Sequence, residues 1–114
     1  LHHDNKVDAP SGTAMRTLER MAQASSDWGT DPTEHETIPG SRGGTGPAGI
    51  SVHSVRLRGL VAHQEVLFGT DGETLTLRHD SLDRGSFMNG ITLACRVISE
   101  HPGVTIGLDT YLGI

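Results

Sequence analysis

The sequence predicts an α+β fold: a mixed, mainly antiparallel four-stranded sheet with helices packed on one face and the other face used in oligomerisation. Three observations predict it. Ala14, Leu18, Met21 and Ala22 recur at three- and four-residue spacing, the stripe of a helix with one apolar side. Three later runs are rich in β-branched residues and alternate apolar with polar side chains, as half-buried strands do. A second helical face then gathers Phe87, Ile91, Ala94, Cys95 and Ile98.

In chain order, a short strand is expected through His2 and His3. Asp8 and Ser11 are residue types that open helices, so the first helix is placed from Gly12 to Ala24. From Ser25 to Gly49 the chain is mostly Ser, Thr, Asp, Glu, Pro and Gly, with Trp28 and Ile38 its only large apolar residues; this is expected to be an exposed, mobile connection. The strands follow at Ser51 to Leu57, Ala62 to Phe68 and Glu73 to Asp80. Gly59 separates the first two, and Asp71-Gly72 is a hairpin turn between the last two. Asp83 or Ser86 opens the second helix and Pro102-Gly103 stops it, although Asn89-Gly90 would ordinarily mark a turn inside it. Val104 to Ile114 is too short to form a unit of its own and is expected to pack on something outside the chain, partly disordered without it. Val55, Leu57, Val66, Phe68, Leu75 and Leu77, divided between the two sheet faces, leave apolar surface in water where no helix covers the sheet, which suggests burial against another subunit. Folding of the long connection over that face is the alternative.

Bulk properties narrow the function. The 114 residues make one small domain. Nine Lys plus Arg against fourteen Asp plus Glu give a net charge of -5, which argues against nucleic acid as ligand. No apolar run approaches the eighteen or so residues of a membrane span, so no membrane partner is expected. The single cysteine, Cys95, is read as a small buried hydrophobe in a reducing compartment, the cytoplasm by default. Leu1, His2, His3 and Asp4 include neither an initiator Met nor a leader pattern, so the chain is expected to be a piece of a longer protein.

Chemistry concentrates in His2-His3-Asp4-Asn5-Lys6-Val7-Asp8-Ala9-Pro10-Ser11-Gly12-Thr13-Ala14. Two imidazoles and an ammonium precede a helix start, where unpaired N–H groups and the positive end of the dipole favour an anion. Gly12 allows close approach of a ligand to the backbone, Thr13 adds a hydroxyl, and His3 and Lys6 offer charge or hydrogen bonds to a carboxylate. Adjacent residues of a strand point to opposite faces, so His2 and His3 should differ in role, one binding and one moving protons. From the residues alone, an exposed histidine pair, a solvated lysine and an ordinary capped helix explain the same pattern equally well.

The motif His2-His3-x-x-Lys6-x-Asp8-x-Pro10-Ser11-Gly12-Thr13-Ala14 resembles the signature of the dihydrodipicolinate reductases. The likeness continues through Gly49-Ile50, His53-Ser54-Val55-Arg56, Val61-Ala62-His63-Gln64-Glu65-Val66, Phe68-Gly69, Glu73-Thr74-Leu75-Thr76 and Asp83-Arg84-x-Ser86-Phe87, and is strongest to the actinobacterial branch. The resemblance implies a C-terminal substrate-binding and tetramerisation domain spanning residues 1–114. It implies reduction of 4-hydroxy-tetrahydrodipicolinate, a small cyclic dicarboxylate, by NADH or NADPH in lysine and diaminopimelate biosynthesis. His2 and Lys6 would be catalytic, and His3, Ser11, Gly12, Thr13 and Arg84 would bind substrate. The nicotinamide cofactor would sit on an N-terminal Rossmann domain absent here, to which Val104 to Ile114 would return, so the fragment alone is expected to be inactive. The alternative function is a stand-alone dicarboxylate-binding or assembly module.

Gly44-Thr45-Gly46-Pro47-Ala48-Gly49 formally matches a dinucleotide fingerprint. It follows a polar loop, contains Pro47 and leads into a strand, so it is set aside, and no cofactor-binding residues are assigned. His35, His53, His63, His79 and His101 have no metal-ligand spacing and are read as surface or hydrogen-bonded sheet histidines, with no metal assigned.

Overall fold

The computed structural model describes all residues from Leu1 to Ile114, and they form two compact units, Leu1–Asp80 and Ser81–Ile114. Helix α1 spans Gly12–Ala24. Ser11 is extended and its Oγ accepts the Ala14 N–H at 3.2 Å, an N-cap that satisfies one of the amides a helix start leaves unpaired. Leu18, the centre of the predicted stripe, is 6% exposed and is the one large apolar residue that is fully buried.

The connection after α1 is made of turns and then of short regular pieces. Strand β1 (Gly44–Thr45) pairs antiparallel with β2 (Ser51–Val52), Gly44 opposite Val52 and Thr45 opposite Ser51, across a 3-10 turn at Pro47–Gly49. The expected connection therefore ends at Gly43. Glycine is required there: φ is +79°, and a Cβ would stand 2.4 Å from the Val52 carbonyl oxygen. Strands β3 (Ala62–Thr70) and β4 (Glu73–Ser81) form a hairpin turning at Asp71-Gly72, as the sequence predicts.

The α+β class holds, but the single four-stranded sheet does not: there are two separate two-stranded sheets. His2 stands between them, bridged in parallel to Arg56 and antiparallel to Ala62. Its N–H donates to Val55 and its carbonyl accepts from Leu57, at 3.0 and 3.1 Å. One residue is all that this strand contributes, because the chain turns away at once, Lys6 N–H donating to the His3 carbonyl. The Ser51 to Leu57 run accordingly pairs only at its two ends.

In the second unit, Asp83 Oδ1 accepts the Gly85 N–H at 2.6 Å and opens a 3-10 turn, Arg84–Phe87. That turn runs into α2 (Met88–Val97). Asn89-Gly90 lies inside this helix rather than in a turn. The glycine is explained by packing, since a Cβ on Gly90 would lie 2.8 Å from Leu108 Cδ1. The tail is structured: α3 (Asp109–Leu112) follows Leu108, and Tyr111 stacks tilted on His101 with ring centroids 5.0 Å apart. Cys95 is exposed, not buried. The helical stripe exists, but too little chain surrounds it to cover it, and Phe87, Ile91 and Ile98 are exposed as well.

Candidate anion-binding site

An irregular segment, Leu1 to Pro10, carries His2, His3 and Lys6 of the predicted site, and contacts from distant residues fix it. Leu1 pairs with His63 through two backbone hydrogen bonds of 2.8 and 2.9 Å. His2 is held between Val55 and Leu57. Arg56 Nη2 donates to the Asp8 carbonyl at 2.6 Å, and the Ala9-Pro10 peptide, which is cis, delivers the chain to the Ser11 cap. Ser11 is buried, and its hydroxyl is committed to the helix cap. The N–H groups of Gly12 and Thr13 lie in the first turn, ahead of any internal helical acceptor. No atom stands within 4 Å of the place a Gly12 Cβ would occupy, so the backbone is open to close approach.

The predicted residues fall into two groups. His2 and Ser11 belong to the wall of a largely apolar cavity of about 510 Å³ whose lining also includes Leu18, Arg56 and His63. His3, Lys6, Gly12 and Thr13 do not belong to it. Arg84 is carried by the second unit, on the 3-10 turn ahead of α2.

Electrostatics distinguish these groups further. Burial lowers the His2 pKa below its usual value, and the positive charges of the chain's amino terminus, Lys6, Arg56 and His3 lower it further. His2 is therefore predominantly neutral at neutral pH, and its Nδ1 is buried without a hydrogen-bond partner. Lys6 supplies the fixed positive charge. Its ammonium lies 2.6 Å from Asp8 Oδ1, and this hydrogen bond is the main reason the Asp8 carboxyl sits below the ordinary range.

Two contributors escape sequence inspection. Arg56 reaches Asp8 across 48 positions. His63 is buried and its Nδ1 lies 2.6 Å from Asp80 Oδ1; Arg78 also pairs with Asp80, and with Glu65. The alternation of β3 and β4 was the available signal, because it sets His63 opposite Asp80 and Glu65 opposite Arg78. No group of three or more His, Cys, Asp or Glu side chains is placed to hold a metal ion. The glycine-rich segment Gly44 to Gly49 joins two antiparallel strands instead of opening a helix. A Cβ on Gly46 would lie 3.0 Å from the Ile50 carbonyl oxygen and 3.2 Å from Leu18, so that glycine serves close packing.

What the fold and these side chains define is a class: a small α+β domain in which two imidazoles and an ammonium directly precede a capped helix start. The model of one family, "Dihydrodipicolinate reductase, C-terminus", matches residues 1–112, and the chain belongs to that family. It is 56% identical over 115 residues to the 4-hydroxy-tetrahydrodipicolinate reductases of Mycobacterium sp. strain KMS and Mycobacterium marinum. All of this chain and 46% of each relative are covered, so it spans about half their length. A dipicolinate-bound dihydrodipicolinate reductase from Paenisporosarcina sp. TG-14 superposes with a TM-score of 0.80 at 47% identity, covering 96% of this chain and 41% of that one.

Proposed function

We propose that this chain is the substrate-binding and assembly domain of a reductase acting on 4-hydroxy-tetrahydrodipicolinate, a step of lysine and diaminopimelate biosynthesis. The observation that carries the reading is that His3 and Lys6 lie within ten residues ahead of the open first turn at Gly12 and Thr13, in a chain whose structural relative is titled dipicolinate-bound. A carboxylate there meets N–H groups at the positive end of a helix together with the Lys6 ammonium. Thr13 Oγ1 and the His3 ring are the further donors, while Ser11 acts through the cap that holds this turn. Arg84 is counted among the substrate-binding residues by family resemblance alone.

A nicotinamide, NADH or NADPH, supplies the hydride, and it is assigned to a Rossmann domain outside this chain, which Val104 to Ile114 would contact. The residues here do the remaining work: they bind the dicarboxylate, orient it and hold protons. Loss of the substrate hydroxyl as water requires a proton, and Lys6 and His2 are the groups that can hold one. The neutral His2 suits acceptance and return of a proton more than permanent charge. Exposed Leu67, Leu75 and Leu77 of the hairpin support assembly into a homo-oligomer, a tetramer by family resemblance, in the cytoplasm.

Calorimetric titration with dipicolinate tests the pocket. Saturable one-to-one binding by the parent chain is expected, weakened at least about tenfold in Lys6→Ala and in Thr13→Ala, the effect of removing a charged or hydroxyl donor to a carboxylate. Absence of binding by a folded parent chain shows that these residues alone do not make the pocket. The same titration on a protein of the relatives' full length then decides between a site completed by another domain and a wrong assignment.

A further inference from the structure

Lys6 is the only lysine among the 114 residues, and its ammonium is already engaged. Asp8 Oδ1 lies 2.6 Å from Nζ, with the two side chains 22% and 50% exposed for Lys6 and Asp8. The backbone that carries this carboxylate is fixed in place. Its carbonyl accepts from Arg56 Nη2 at 2.6 Å, and Arg56 is bridged to His2. A ligand carboxylate approaching Lys6 therefore meets another carboxylate in place. The two anions would share one ammonium, and their repulsion opposes binding.

We propose that Asp8 is an internal competitor that sets the affinity of the Lys6 site for carboxylate ligands, occupying the ammonium in the free protein and yielding it when a ligand carboxylate arrives. The inference rests on the dicarboxylate reading of the site and adds to it a residue that determines affinity. Asp8 keeps Lys6 aimed while the site is empty, and its negative charge keeps the bound dianion from being held too tightly to leave.

Asp8→Asn separates this role from a structural one. The tie to Arg56 runs through the backbone carbonyl, so the substitution preserves it and removes only the side-chain charge. Dipicolinate should bind Asp8→Asn roughly three- to tenfold more tightly than the parent, the size expected for deleting one like charge about 4–5 Å from the ligand near water. Glu34→Gln, the same charge change on an exposed residue of the connection, should leave the affinity within about twofold, since a solvated charge with no contact to the site contributes little. A purely structural Asp8 would loosen the loop, and binding would weaken. Unchanged or weaker binding in Asp8→Asn, or equal tightening in Glu34→Gln, overturns the proposal while parent binding keeps the dicarboxylate reading intact. A parent that binds no dipicolinate at any length overturns both.

Discussion

Two stretches of this chain lack long regular structure, and they are held in opposite ways. Leu1 to Pro10 is fixed by remote partners: Val55, Leu57, Arg56 and His63 all reach it from about 50 to 60 positions away. Asp27 to Gly43 makes its hydrogen bonds mostly within itself, although the Trp28 ring lies against Phe68 of β3 with centroids 6.2 Å apart. Asp31 accepts from Thr33 N–H and from Arg42, and Glu36 accepts from the Gly40 and Arg42 N–H groups, all within 11 positions. Both have similar polar compositions, so composition does not tell them apart. An irregular segment becomes a site when distant strands determine its backbone, whereas the connection owes its backbone hydrogen bonds mainly to its own turns.

The strongest way to break this contrast is to cut the remote attachment. His63 is buried, donates its N–H to the Leu1 carbonyl, and through its ring joins the start of β3 to Asp80 near the end of β4. His63→Ala removes the ring bond and leaves a cavity under the first residues. A loss of about 2–3 kcal/mol in unfolding free energy is expected, with dipicolinate affinity falling as well. Equilibrium denaturation and calorimetry on one variant check both. A stability loss with unchanged affinity would show that the His2 to Lys6 segment keeps its shape without this attachment.

A smaller effect sharpens the same comparison through pH. His2 is lowered by burial and by surrounding positive charge, so below about pH 6.5, the ordinary value, the folded chain binds fewer protons there than the unfolded chain. Stability should therefore be fully present above that value and fall as pH drops from it towards the lowered folded value. His2→Gln removes the titrating group and should flatten the slope of unfolding free energy between about pH 7 and 5. An equally steep slope in that variant would assign the effect to other histidines. Asp80 and Asp31, each lowered to about 2 by hydrogen bonds, act lower: their contributions are present above about pH 4 and are lost as pH falls towards 2. The acid limb should thus survive His2→Gln unchanged.

How much was legible beforehand follows from the range of the forces involved. Helix α1 and its Ser11 cap and the Asp71-Gly72 hairpin are set by neighbours within a few residues, and the sequence pattern predicts them. The sheet partition was not legible, because it depends on how many residues of the first strand pair before Lys6 turns the chain back. Gly90 reads locally as a turn signal and is really a packing position for Leu108, eighteen residues on. The same holds at the site. His2, Lys6 and the Gly12 turn form one contiguous motif, whereas Arg56 and His63 enter only through the fold.

The smallest predicted effect lies in the self-held connection. Glu36 gives both carboxylate oxygens to backbone amides, at 2.7 Å to Gly40 and 2.7 Å to Arg42, and these hydrogen bonds hold its pKa below the ordinary range. They lie in solvent and close a loop of only six residues. Glu36→Gln keeps one acceptor oxygen and loses the charge. The turn should open locally, giving faster hydrogen exchange at the Gly40 and Arg42 amides, while the melting temperature and dipicolinate affinity stay at the parent values. If affinity falls with the turn, the connection is coupled to the helix start after all, and the division between remotely fixed and self-held segments does not describe how this chain builds its site.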